Sequence, residues 1–181
     1  MELAILDFIQ SNLRSGIMDS VMTFITGLGD SGKIWIACTI LLLLIPKTRK
    51  AGLAMGIALA LEIVCCNVIL KPFVARIRPC DVNTAVQLLI ERPLDYSFPS
   101  GHTASSFAAA SALYFGRKKL WIPAAVLAGL IGFSRLYLYV HYPTDVLAGA
   151  LIGIMMGWLG SVLANAISAR LNEQGWNFIS Q

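Results

Sequence analysis

Charge is what this chain has least of. Only 13% of its 181 residues are Asp, Glu, Lys or Arg, while 57% are hydrophobic, and the mean hydropathy is +0.72. A soluble domain carries about 25% charged residues, so an ordinary water-facing globule is excluded. The length suits a single domain, 1–181. Cysteine is scarce too. Cys38, Cys65, Cys66 and Cys80 show no zinc spacing and suggest no disulfide; the first three lie in apolar runs, where a thiol serves as a small hydrophobe. Histidine is rarer still, with only His102 and His141. The first residues lack the basic start and small-residue cleavage site of a signal peptide. The inverted repeats from which many transporters are built are not visible.

What is present is a set of five apolar runs, at 34–45, 51–70, 103–115, 121–140 and 146–167. A helix needs roughly 20 apolar residues to cross a bilayer. The second, fourth and fifth runs reach that length, and the first and third reach it only with their flanks. Their Ala, Gly, Leu and Met content favours packed membrane helices over buried strands. The expected fold is therefore all-α: a polytopic transmembrane bundle of five to six helices, with its core over 31–167. Gly149, Gly153 and Gly157 form a small-residue ridge in the last run, which reads as a helix-packing face. Residues 1–30 place apolar side chains near helical spacing but include Asp7, Asn12, Arg14 and Asp19. They read as one or two amphipathic helices, at the interface or against the bundle.

Basic residues in short loops orient such a bundle. The loops "PKTRK" after the first run and "GRKK" after the third fall on one side by parity, with Arg170, and are expected to be cytoplasmic. Residues 71–100 and the turn at 141–144 fall together on the outer side. That side also carries Lys71, Arg76, Arg78 and Arg92, which opposes the rule unless some of them serve chemistry.

The outer helix ends hold three motifs. "KPFVARIRP" contains Lys71 and Arg78; "PSGH" contains Ser100, Gly101 and His102; "SRLYLYVHYPTD" contains Arg135, His141 and Asp145. Cations near a membrane need anions, and an arginine fork suits phosphate oxygens. Ser100 and Gly101 stand at a helix start, where free N–H groups and the helix dipole favour an anion. His141 and Asp145 are four apart, close enough for the carboxylate to fix the imidazole tautomer and leave the other nitrogen nucleophilic. Pro143 interrupts an ideal helix between them. His102 is placed to protonate a leaving oxygen. Taken singly, each motif has a plainer reading: a capped helix start, a basic interfacial anchor, a snorkelling arginine. Their concurrence on one face is what points to phosphate chemistry.

These segments resemble the signature of the type-2 phosphatidic acid phosphatase superfamily, which also includes bacterial acid phosphatases and vanadium haloperoxidases. The signature is Lys, six residues, Arg-Pro; then Pro-Ser-Gly-His; then Ser-Arg, five residues, His, three residues, Asp. Every position is matched between Lys71 and Asp145. The resemblance implies a phosphatase with no metal and no cofactor. His141 would be the nucleophile, forming a phosphohistidine. His102 would be the acid and then the base, and Asp145 would orient His141. Lys71, Arg78, Ser100, Gly101 and Arg135 would hold the phosphoryl oxygens. The implied partners are the bilayer and a lipid phosphate or diphosphate at the outer face, and no nucleic acid. Small bacterial members often resemble undecaprenyl pyrophosphate phosphatases, and with an outward site the resemblance implies undecaprenyl pyrophosphate as the expected substrate; phosphatidylglycerophosphate and phosphatidic acid phosphatases, which share the motifs, are the alternative.

Two other classes stay in view. A transporter would use Glu62, Asn67 and Arg135 to line a path. A metal hydrolase would use His102, His141 and Asp145 as ligands but would leave three adjacent cations unexplained. Outside the signature, Asn67 is expected to support Lys71 one turn on, and Glu62 to make an interhelical bond. Arg76 and Arg92 read as solvated loop charges. Residues 80–98 are long enough to cover the site, with Tyr96 and Phe98 at its entrance or at the interface.

Overall fold

A computed structural model describes residues 1–116 and 118–173; Arg117, part of the second basic loop, lies outside them. The described residues are helical and contain no strand. α1 (Glu2–Leu13) and α2 (Gly16–Gly29) lead through a 3-10 turn, Asp30–Gly32, into α3 (Lys33–Leu44). α4 (Arg49–Glu62) continues as a π-helical segment, Ile63–Leu70, and ends in the single turn α5 (Lys71–Val74). The short α6 (Pro79–Val82) opens a long loop, followed by α7 (Gly101–Phe115), α8 (Trp121–Tyr137) and α9 (Pro143–Glu173).

Among the described residues three stretches are long and apolar enough to cross a membrane: Gly16–Leu44, Pro46–Val82 and Pro143–Glu173. The first is kinked, because Ser31 and Gly32 both adopt positive φ. α8 is a shorter apolar helix that ends at Tyr137, earlier than the hydropathy suggests. Tyr139 then takes φ 60° and turns the chain towards His141.

α7 is the central helix, packed against α4, α8 and α9. Its Ala104, Ala108, Ala109 and Ala112 are fully buried, so small side chains set the spacing of the bundle. The glycine ridge of α9 is the matching surface. A Cβ on Gly149, Gly153 or Gly157 would come under 3.0 Å from Ser100 O, Ala104 O and Ser111 Cβ respectively. Glycine there lets two backbones approach closely, as the sequence spacing implies.

The N-terminal helices pack against the bundle. Their charges face inward onto the chain that carries His141: Tyr137 donates its hydroxyl to Asp19 Oδ1 and Tyr139 to Asp7 Oδ1, both at 2.6 Å. Gln10 donates to Tyr137 O at 2.6 Å. At the opposite end of the molecule, Lys118 donates to Lys47 O at 3.0 Å, bringing the two basic loops to one end as parity requires.

Candidate active site

The three motif segments converge at the end of the bundle away from those basic loops. Lys71, Arg78 and Arg135 are all buried. Arg78 is spent in several directions: Nη2 donates to Asp95 Oδ1 at 2.6 Å, Nε to Asp95 O at 2.8 Å and Nη1 to Val140 O at 2.7 Å. Lys71 is paired with the other oxygen of Asp95. A loop carboxylate thus holds two of the three cations expected to bind phosphate. Burial raises the Asp95 pKa, but the bonds and charges of Lys71 and Arg78 outweigh it and hold the carboxyl at about 2. Arg135 is different. It donates Nη1 to Thr26 Oγ1 at 2.5 Å and its buried Nε has no partner. A buried N–H without an acceptor is costly, and an anion would supply one.

His141 is 1% exposed and lies 3.1 Å from Arg78 through Nε2. A guanidinium has no acceptor, so Arg78 donates and Nε2 accepts. The neutral ring therefore carries its proton on Nδ1. Nδ1 faces Asp145 Oδ2 at 3.6 Å and Ser97 Oγ at 3.5 Å. Burial pushes the His141 pKa down, as do the charges of Arg78 and Arg135, against the pull of Asp145. The ring is neutral, and its lone pair is on the nitrogen beside the cations.

Asp145 is fully buried at the first turn of α9. Its Oδ2 accepts from Ser97 Oγ at 2.5 Å and from Tyr142 N at 2.9 Å. Its Oδ1 accepts from Arg76 Nη1 at 2.6 Å. Arg76 is therefore no solvated loop charge. It also donates to Thr144 Oγ1 at 2.7 Å and to Glu2 Oε2 at 2.5 Å, and stacks 3.9 Å from the centre of the Tyr142 ring. Arg92 is paired with Asp81 at 2.9 Å on the surface.

His102 occupies the first turn of α7, with Nε2 2.9 Å from Asp30 Oδ1. Gly29 lets α2 pass close by: a Cβ there would meet the His102 ring at 3.0 Å. Gly101 exposes its backbone towards Asn67 Oδ1 and Lys71 Nζ, which a Cβ would face at 3.4 and 3.8 Å. The first N–H groups of α7 have no intrahelical acceptor. Ser100 stands apart from the other expected phosphate ligands. Its hydroxyl is bonded to Thr103 Oγ1 at 2.9 Å and its N–H to Asp145 O at 3.1 Å, and it lines neither adjoining cavity.

Two cavities meet here. One, of about 510 Å³, contains Arg78, Arg135, His141 and His102. The other, of about 600 Å³, runs from His102 and Lys71 past Tyr96 along Ile36, Leu59 and Ile63. They share Lys71, Asp95, Gly101 and His102. Among the described residues no group of three or more His, Cys, Asp or Glu side chains stands together to hold a metal.

Sequence reasoning missed Asp30, Thr26, Ser97, Asp95 and the role of Arg76. Asp30 and Thr26 lie in a segment that looked peripheral, more than 70 residues from their partners. Ser97 and Asp95 flank "PSGH" closely, and that proximity was the one available signal.

The profile of the PAP2 superfamily matches residues 50–168. The chain is 36% identical over 143 residues to a Sulfolobus acidocaldarius protein named undecaprenyl-diphosphatase, covering 78% of this chain and 68% of the relative. It is 33% identical over 177 residues to a Bacteroides thetaiotaomicron lipid A 4'-phosphatase, covering 90% and 77%. Among solved structures, Aquifex aeolicus LpxE superposes with a TM-score of 0.77 at 34% identity, over 88% of this chain and 93% of that one.

Proposed function

The chain belongs to the PAP2 superfamily and is a membrane-embedded lipid phosphatase; from that premise we propose that it hydrolyses a lipid phosphate or diphosphate at the outer face of the membrane through a phosphohistidine on His141. The observation that carries the mechanism is the contact between Arg78 Nη1 and His141 Nε2, which fixes the lone pair beside the cations. A phosphoryl group held by Arg78, Lys71, the orphaned Arg135 Nε and the first N–H groups of α7 takes the place of the Asp95 carboxylate. His141 Nε2 attacks phosphorus while the P–O bond to the leaving group breaks (the ester bond of a monophosphate, the anhydride bond of a diphosphate), and His102 gives the leaving oxygen its proton. His102 then takes a proton from water, whose oxygen attacks phosphorus. The P–N bond breaks, and phosphate leaves with His141 restored. Asp145 stabilises the Nδ1 proton throughout, and Asp30 holds the His102 ring.

The experiment is to quench the reacting enzyme in base and look for an acid-labile, base-stable phosphoenzyme, with chelator present. His141→Ala should abolish it together with turnover. His102→Ala should accumulate it from p-nitrophenyl phosphate, whose leaving group needs no acid. Wild-type turnover by His141→Ala, in a folded sample, would overturn the mechanism. The candidate carriers fall into two chemical types: a diphosphate such as undecaprenyl pyrophosphate, expected from the outward face, and monoesters such as phosphatidylglycerophosphate and phosphatidic acid. All present the same reacting phosphoryl group and differ on the leaving side.

A further inference from the structure

One buried carboxyl side chain among the described residues has no part in that chemistry. Glu62 is 2% exposed, at the junction of α4 and the π segment. Its carboxyl meets the Cys66 thiol, but Oε1 has no hydrogen-bond partner. The interhelical bond expected from sequence is absent among the described residues. An unpaired carboxyl oxygen at membrane depth is expensive to keep.

Among the described residues only one other buried side-chain atom lacks a partner, and it is Arg135 Nε. The two orphans are of opposite kind. Arg135 offers a donor in the cavity that holds His141, and Glu62 offers an acceptor in the adjoining groove. His102 lies on the wall common to both. A nucleophile and a leaving group stand on opposite sides of phosphorus. With His141 attacking from the first cavity and His102 protonating at the common wall, the leaving oxygen and its carrier enter the groove. Ile36, Leu59 and Ile63 there suit hydrocarbon.

The backbone is built to present Glu62 in this groove. In an α-helix, the nine residues from Glu62 to Lys71 make about two and a half turns and would put the two side chains on opposite faces. The wider i→i+5 winding of the π segment reduces that to about two turns. Glu62, Asn67 and Lys71 then line one groove.

We propose that Glu62 is a specificity-determining residue that accepts a hydrogen bond from a hydroxyl or amide N–H on the leaving group, a few atoms from the ester. The preferred substrate is then a phosphomonoester on a glycerol- or sugar-type lipid, and the polyprenyl diphosphate expected from the outward face alone is disfavoured. This rests on the lipid phosphatase reading. A polyprenyl diphosphate has no donor to offer, and its inner phosphate would bring negative charge into the groove that holds Glu62. A carrier without a donor leaves Oε1 unpaired, the situation in which a polar site discriminates most strongly.

The test measures phosphate release from three lipids in detergent: 1-oleoyl lysophosphatidic acid, its 2-deoxy counterpart and farnesyl diphosphate. Wild type, Glu62→Gln and Glu62→Leu are compared by kcat/KM. The wild type is expected to prefer the hydroxylated lipid over the deoxy lipid by about 10-fold or more, within the cost of leaving a buried acceptor unpaired. In Glu62→Leu that ratio should fall to about one through loss on the hydroxylated lipid alone, with Glu62→Gln intermediate and improved on the diphosphate. If Glu62→Leu does not fold, the wild-type ratio and Glu62→Gln decide. Equal use of the two monoesters by the wild type, a ratio that survives in Glu62→Leu, or faster turnover of farnesyl diphosphate than of the hydroxylated lipid overturns the proposal. Turnover without discrimination removes this inference alone, whereas no release from any lipid removes the phosphatase reading with it.

Discussion

Asp95 competes for the site it closes, and Asp95→Asn measures by how much. Its carboxylate takes the ammonium of Lys71 and the Nη2 of Arg78, the groups a phosphoryl oxygen needs. The Asp95 side chain is half exposed, at 51%, so each pair is discounted to the range of solvent-screened bridges, about 0.2–1 kcal/mol. Two such pairs amount to about 0.5–2 kcal/mol, or about 2- to 30-fold in affinity. The carboxyl is held near pKa 2, below its ordinary 3.8. A depressed carboxylate keeps its pairing energy above its ordinary value and loses it only as pH falls from 3.8 towards 2. The competition is therefore at full strength at any neutral assay pH. The measurement is the inhibition constant for vanadate, a phosphate mimic, and Asp95→Asn should lower it by about 2- to 30-fold. Asp81→Asn is the charge control, since Asp81 pairs with Arg92 at the surface. An unchanged or weaker inhibition in Asp95→Asn refutes the competition, and so does an equal gain in Asp81→Asn.

Three further outcomes are expected. Arg76→Ala removes a 2.6 Å bond to the buried Asp145; kcat should fall by about 10- to 100-fold with little change in KM, partly restored in Arg76→Lys, the cost of a hydrogen bond to a charged group. Gly153→Ala forces a Cβ against Ala104 O and should destabilise the bundle by about 1–3 kcal/mol, seen as a lower Tm in detergent. His141 is held below its ordinary 6.5, so it stays neutral as pH falls past 6.5, and the acid limb of kcat/KM should lie below that value. In the same window the unfolded chain takes up a proton that the buried ring refuses, so stability should fall as pH drops below about 6.5.

The candidate constellation was legible because each of its members sits at or near a helix end and the helix ends are set by hydropathy. Lys71, Arg78, His102, Arg135, His141 and Asp145 therefore came to one face by parity alone. The glycine ridge was legible for a similar reason, since four-residue spacing means one helix face whatever lies opposite. The supporting set was hidden by distance along the chain. Asp30 meets His102 across 72 residues and Glu2 meets Arg76 across 74, and no local pattern announces such pairs. The π winding between Glu62 and Lys71 was hidden as well. At α-helical pitch those residues face apart, and a run of Ile, Val and Cys gives no sign of which winding it will take.

Those hidden acids account for the charge balance of the site. The sequence shows cations at an apolar helix end with few acids beside them, which suggests a cradle waiting for an anion. The structure shows that most of that charge is already answered. Arg76 is paired with Asp145 and Glu2, and Lys71 and Arg78 with Asp95. Among the described residues Arg135 alone of these four has no carboxylate partner, and its Nε has no partner at all. The division has a physical sense in a membrane, where an unpaired buried charge must be kept few and purposeful. Asp145 is fixed by Ser97, Tyr142 and Arg76 and faces His141 Nδ1. Asp95 sits on a half-exposed loop, where leaving the cations costs little. In the proposed mechanism the incoming phosphoryl group therefore gains uncontested contacts at Arg135 and the first N–H groups of α7 and exchanges with Asp95 for Lys71 and Arg78, so the cradle would stay neutralised until substrate replaces the loop.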